Sequence, residues 1–142
     1  AVRVPVLTSS LMQVSTVNLL LPDSKKAGIL TISKSTLSDA HLRAANVPSD
    51  TPIGTTEDGA EFSRVILNDE LQLNIELARM DNINAALKMK TDYPELGAII
   101  LECTNMSPYA EAIQEAVELP VFSIVNLVEW LHAGLKPKRF SS

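Results

Sequence analysis

Gly97-Ala98-Ile99-Ile100-Leu101-Glu102-Cys103-Thr104-Asn105-Met106-Ser107-Pro108 is an apolar run of strand length that ends in a polar turn and enters a helix. The unbroken apolar stretch predicts a buried strand. Ser107 suits the N-cap of the following helix and Pro108 its first turn, with Tyr109, Ile113, Ala116 and Val117 on one face. A strand that ends in Cys-Thr-Asn and turns into a helix puts the Cys103 sulfur at the carboxyl edge of a sheet, where open α/β folds bind ligands.

The rest of the chain repeats this alternation. Val4 to Leu7 is a short β-branched run, followed by a helical stretch from Leu11 to Leu21 that Pro22 stops. Ala27 to Ile32 reads as a strand, and Thr36-Leu37-Ser38-Asp39 as a capping box that opens a helix through Leu37, Ala40, Ala44 and Val47. Pro52 to Thr56 is a weaker strand, because its Pro and Gly disfavour a central position. Ala60 to Lys90 carries Leu71, Ile75, Ala78, Ile83, Ala86 and Leu87 at helical spacing, with a bend or break near Asn68-Asp69. Pro120 to Ile124 is a last short strand, and Asn126 to Glu129 opens a helix that Gly134 ends. Strands separated by helical crossovers predict an α/β fold: a parallel sheet with helices on both faces, in three layers. Three segments are expected: 1–26, a strand and helix; 27–125, the cysteine-bearing domain; and 126–142, a helix and tail.

Composition narrows the function. A chain of 142 residues with 46% hydrophobic and 20% charged residues fits one core. The net charge of −5 disfavours a nucleic-acid partner, which would need a basic stripe against phosphates. The one basic cluster, Lys136, Lys138 and Arg139, reads as a solvated terminus. One cysteine cannot close a disulfide within the chain, and no apolar stretch approaches the roughly 20 residues that cross a bilayer. A soluble cytoplasmic protein with no membrane partner is expected. The chain opens without methionine and almost at once enters its first predicted run, so a missing amino-terminal part is also expected.

Cys103 is the first candidate for chemistry, as nucleophile or as base. Backbone N–H groups at the start of the following helix are expected to lower its pKa from about 8.5. The alternative is a buried cysteine that only fills space. Thr104 and Asn105 add polar groups beside the sulfur that can hold a small carboxylate. Thr31, Ser33, Ser35 and Thr36 cluster at the same sheet edge, where hydroxyls converge on an anion or simply cap a helix. Thr8-Ser9-Ser10 holds the same position after the first apolar run. Glu57, Asp58 and Glu61 read as a solvated loop within reach of the site edge. His41 and His132 lack the neighbours of a metal site or of a cysteine nucleophile, and Trp130 and Phe122 read as core. No glycine-rich nucleotide motif or hydrolase elbow is present, and neither cofactor nor metal is expected.

The segments Ala27-Gly28-Ile29-Leu30-Thr31, Ala98 to Met106, and Leu119-Pro120-Val121-Phe122 together resemble the aspartate/glutamate racemase superfamily, and within it a poorly characterised branch. The resemblance spans essentially the whole chain but only the later part of a family member. It implies a pair of α/β halves with the site between them, of which this chain matches the cysteine-bearing second half. It also implies cofactor-independent proton transfer at the α-carbon of a small amino or dicarboxylic acid by two cysteines on opposite faces. Cys103 resembles the second of them; the first lies upstream of the matched region. The family's hydroxyl-rich turn falls on Ser33, Ser35 and Thr36, whereas Asn105 stands where characterised racemases tend to carry histidine or glutamate. A partial isomerase impaired by loss of the first cysteine is one reading, and a homodimer that closes the open half-site accords with it. A single-cysteine decarboxylase or cis–trans isomerase is a variant. The other reading is a non-catalytic α/β module that binds a small carboxylate or a protein.

Overall fold

A computed structural model describes residues 3–139. Four strands, β1 (Lys26–Thr31), β2 (Ile53–Thr55), β3 (Leu96–Leu101) and β4 (Val121–Phe122), form one sheet in the order β2-β1-β3-β4, and every pairing is parallel. Leu30 lies opposite Leu101, and the β1 ladder runs on into the turn through Glu102 N–H donating to the Leu30 carbonyl at 2.9 Å. Parallel strands cannot be joined by tight turns, so helices cover both faces and the two central strands are apolar on both sides. Leu30, Ile99 and Leu101 face a core built with α3 (Phe62–Leu67), α4 (Ile75–Asp92) and α5 (Ala110–Val117). Ala27, Ile29, Ala98 and Ile100 face the other core, which includes Leu11 together with Val14 and Val17 of α1 (Val14–Asn18). The region of α2 (Asp39–Ala44) contributes Leu37, Leu42 and Val47 to that side. The three-layer α/β architecture expected from the alternating pattern is the one observed.

Two close approaches set how α4 lies on the sheet. Gly28 and Gly54 present no side chain on the α4 face, and Met89, 1% exposed, lies across both of them. A Cβ at Gly28 would run into the Met89 methyl and come within 2.5 Å of Leu96 Cδ1, while one at Gly54 would sit 2.5 Å from Met89 Cγ. Nearer the start of α4, the Asp81 carboxylate accepts from the backbone N–H groups of Ala60, Glu61 and Phe62 at 3.2, 2.7 and 2.8 Å. It thereby caps α3 from a neighbouring helix, satisfying donors that no residue at the start of α3 reaches.

Several local expectations are corrected. Val4 to Leu7 forms no strand: Pro5 has no N–H to donate, no strand pairs with the run, and Val4 is 66% exposed. The predicted helix at Leu11 to Leu21 begins as a 3-10 turn, Ser10–Gln13, and ends at Asn18, whose side chain accepts from Ala27 N–H at 2.7 Å. The stretch from Ala60 divides into α3 and α4, and Leu71 is wholly exposed in the connection. Ser38, not Thr36, caps α2, with the His41 ring completing the capping box. Ser107 lies inside a 3-10 turn, Thr104–Tyr109, that begins at Cys103 and precedes α5. The last strand shrinks to β4 because Ser123 caps α6 (Ile124–Leu135) in a reciprocal pairing with Asn126. Trp130 is 70% exposed on α6 and is not a core residue. Residues 1, 2 and 140–142, which open and close the predicted segments 1–26 and 126–142, lie outside the described residues.

Gly28→Ala adds one methyl where Met89 and Leu96 leave no room, so it is expected to destabilise the fold by about 1–3 kcal/mol. Urea unfolding followed by circular dichroism checks this; an unchanged midpoint would show that α4 shifts freely on the sheet.

Candidate functional site

The carboxyl edge of the sheet gathers most of the polar residues singled out from sequence. β1 ends at Thr31 and β3 at Leu101, and their pairing sets Thr31 beside Glu102, with Cys103 the next residue along. The buried Thr31 hydroxyl donates to Glu102 Oε2 at 2.9 Å. From the segment before α1, the buried Ser10 hydroxyl donates to the Leu101 carbonyl at 2.7 Å, tying that segment to the end of β3. Cys103 is a half-buried free thiol and serves as N-cap residue of the 3-10 turn. Thr104 and Asn105 follow it on that turn and are exposed.

Burial pushes the Cys103 thiol above its ordinary pKa, and the neighbouring Glu102 charge acts in the same direction. The backbone N–H groups of Asn105 and Met106 favour the thiolate but do not outweigh the loss of solvent. The expected lowering is therefore reversed. A 3-10 turn of this length has too few aligned peptide groups to offset desolvation of a thiolate. At neutral pH the sulfur carries its proton, and a group in that state donates a proton more readily than it accepts one.

The hydroxyl-rich turn after β1 is built around a carboxylate belonging to the chain itself. Glu57 accepts from the Ser33 hydroxyl at 2.7 Å, from Lys34 N–H at 3.0 Å, from Thr55 at 3.1 Å and, more distantly, from Ser35 at 3.4 Å. These bonds, led by the one from Ser33, hold the Glu57 carboxyl below its usual pKa. The Thr36 hydroxyl bonds back to the Ser33 carbonyl at 3.2 Å. Thr31 and Ser33 are buried, and Ser35 and Thr36 are exposed. Thus the turn binds a carboxylate, and Thr31 and Ser33 spend their hydroxyls on Glu102 and Glu57. Glu61, read from sequence as solvated, is instead 9% exposed and accepts from Asn74 N–H and Arg64, both at 2.8 Å. Glu102 was the residue sequence reasoning passed over; the signal available was a lone charge closing an apolar run. No group of three or more His, Cys, Asp or Glu side chains placed to hold a metal occurs among the described residues. None of the described helices is long and apolar enough to cross a membrane.

The fold is similar to that of a solved structure, the allantoin racemase of Pseudomonas fluorescens, at a TM-score of 0.56 and 16% identity. The fold is racemase-like. The match covers 93% of this chain and 60% of that one, so the chain spans less than two thirds of the racemase. Among sequences, dimethylsulfoniopropionate lyase 5 of Emiliania huxleyi (strain CCMP1516) is 40% identical over 41 residues, which is 29% of this chain and 8% of the lyase. No protein-family model matches the chain.

Alkylation by iodoacetamide as a function of pH is expected to give a Cys103 midpoint above the ordinary thiol value of about 8.5. Glu102→Gln removes the adjacent negative charge and is expected to lower that midpoint. A wild-type midpoint below the ordinary value would mean that the backbone N–H groups outweigh burial.

Proposed function

We propose that the chain is the cysteine-bearing half of an aspartate/glutamate racemase-like isomerase, with Cys103 handling the proton at the α-carbon of a small amino or dicarboxylic acid. The observation that carries this reading is the position of the thiol. Cys103 closes β3 at the carboxyl edge of a sheet whose fold matches a racemase over 93% of the chain. Carboxylate contacts fall to the exposed groups beside the sulfur, Thr104 and Asn105, and to Ser35 and Thr36 across the edge. Thr31 and Ser33 hold Glu102 and Glu57 in place around them.

In the reaction, a base removes the α-proton and the electron pair left behind is delocalised into the substrate carboxylate. Donors around that carboxylate stabilise the added charge. A protonated Cys103 then supplies a proton to carbon from its own side. The resulting thiolate is costly in a half-buried position, so the raised thiol pKa adapts Cys103 to the acid role. When Cys103 acts in the reverse sense its sulfur takes the α-proton. No cofactor is required, because the whole cycle moves one proton off and one proton on. A racemase and a lyase can share the first of these steps, which accommodates the partial likeness to a dimethylsulfoniopropionate lyase. The reading includes the absence of the first cysteine from this chain, and a homodimer or an additional chain segment as the second wall of the site.

One observation favours a second reading, a non-catalytic carboxylate-binding module. Burial suppresses the Cys103 thiolate, while Thr104 and Asn105 beside it stay exposed to a carboxylate. Deuterium exchange separates the two. In D2O, aspartate, glutamate, allantoin and dimethylsulfoniopropionate are incubated with the protein and followed by proton NMR. Isomerase chemistry predicts exchange at the α-carbon of one of them and a loss of about 100-fold or more in Cys103→Ser. Exchange that persists in Cys103→Ser, or the absence of exchange with any substrate, would rule the isomerase reading out for this chain.

A further inference from the structure

The far edge of the sheet carries a feature that the proton-transfer reading does not use. β4 is an edge strand, and the Pro120 carbonyl accepts from Ile99 N–H at 2.9 Å while Val121 lies opposite Ile99. In a parallel ladder, alternate residues turn both backbone groups to the same side. Pro120 and Phe122 therefore face β3, and the Val121 N–H and C=O point away from the sheet. Two other outward carbonyls at the sheet margins have side-chain partners. On β2 the Ile53 carbonyl meets the Tyr93 hydroxyl at 3.5 Å, and beyond β4 the Ser123 carbonyl accepts from the Gln13 amide at 3.0 Å.

The open Val121 groups look into a groove of about 1000 Å³ between α5 and the start of α6. Leu119, Val121 and Ala110 contribute apolar surface, and Glu111, Glu115 and Glu118 line its α5 side. Among the described residues no lysine, arginine or histidine lines the groove, and Lys90 stands 4.0 Å from Glu118 at its margin. An unpaired strand edge in an acidic trough matches an extended segment that offers backbone hydrogen bonds together with basic side chains. A second copy of the same edge is disfavoured, because pairing two such edges would bring the glutamates of both together.

We propose that this groove binds an extended, basic peptide segment of a partner protein, which adds to the sheet as a fifth strand beside β4. Its backbone meets Val121, and its basic side chains meet Glu111, Glu115 and Glu118. The test uses a short, capped, fluorescein-labelled peptide alternating lysine and valine, with a glutamate and valine peptide as its counterpart. Fluorescence anisotropy is expected to show binding of the basic peptide only, and hydrogen exchange to show new protection of the Val121 amide in the complex. Val121→Pro removes an N–H that has no partner among the described residues, so the sheet survives while binding weakens about fivefold, the worth of one backbone hydrogen bond. Glu111→Lys with Glu115→Lys is expected to weaken the basic peptide about tenfold and to admit the acidic one. Circular dichroism confirms that each variant is folded. Absence of binding, equal binding of both peptides, or full binding by folded Val121→Pro would overturn the proposal. So would concentration-dependent self-association in sedimentation that is lost when the basic residues Lys136, Lys138 and Arg139 are removed, since the groove would then belong to a second copy.

Discussion

Everything in this molecule hangs on the parallel ladder between β1 and β3. Neither strand has an exposed face, and their residues alternate between two separate cores. Each apolar side chain buried this way contributes about 1.5–3 kcal/mol, so the ladder cannot slip without exposing both sides. The register fixes which residues emerge together at the carboxyl edge. Thr31, Glu102 and Cys103 are neighbours because Leu30 and Leu101 are opposite each other one residue earlier. The chemistry of the edge is a consequence of packing far from it.

The polar groups at that edge form two linked carboxylate settings. Glu102 is held by Thr31 next to the thiol, and Glu57 by the turn that follows β1. Both acids keep hydroxyls oriented that would otherwise rotate freely, and their charges set the local potential. Glu102 works against ionisation of Cys103. A thiol kept protonated next to a fixed anion is a different reagent from the activated nucleophile of a cysteine hydrolase.

The legible part of the sequence was the part governed by local pattern. Ala98 to Leu101 could be read as buried strand because no polar residue interrupts it, and Ala27 to Leu30 likewise. The weak strand at Ile53 is an edge strand, as its flanking Pro and Gly imply. What could not be read depended on distant partners. Asp81 caps a helix that precedes it by many residues, and Ser123 ends a strand by starting a helix early. Trp130 has the composition of a core residue, but its helix touches the sheet through one side only, where Leu127 is buried. At the site, residue types and their edge were visible in the sequence. The ownership of the hydroxyls by Glu57 and Glu102, and the balance of burial against backbone donors at Cys103, required coordinates.

The seating of Met89 over Gly28 and Gly54 also governs how the molecule would age under oxidants. Met12 and Met80 are partly exposed and their sulfur atoms can be oxidised at the surface with little change in packing. Met89 is shielded while α4 is in place, and the space against Gly54 cannot take an added sulfoxide oxygen. Oxidation there has to wait for α4 to lift, and once it has happened the helix cannot settle back. Peroxide damage at Met89 would thus be gated by opening of one helix and would loosen one face of the sheet until the sulfoxide is reduced.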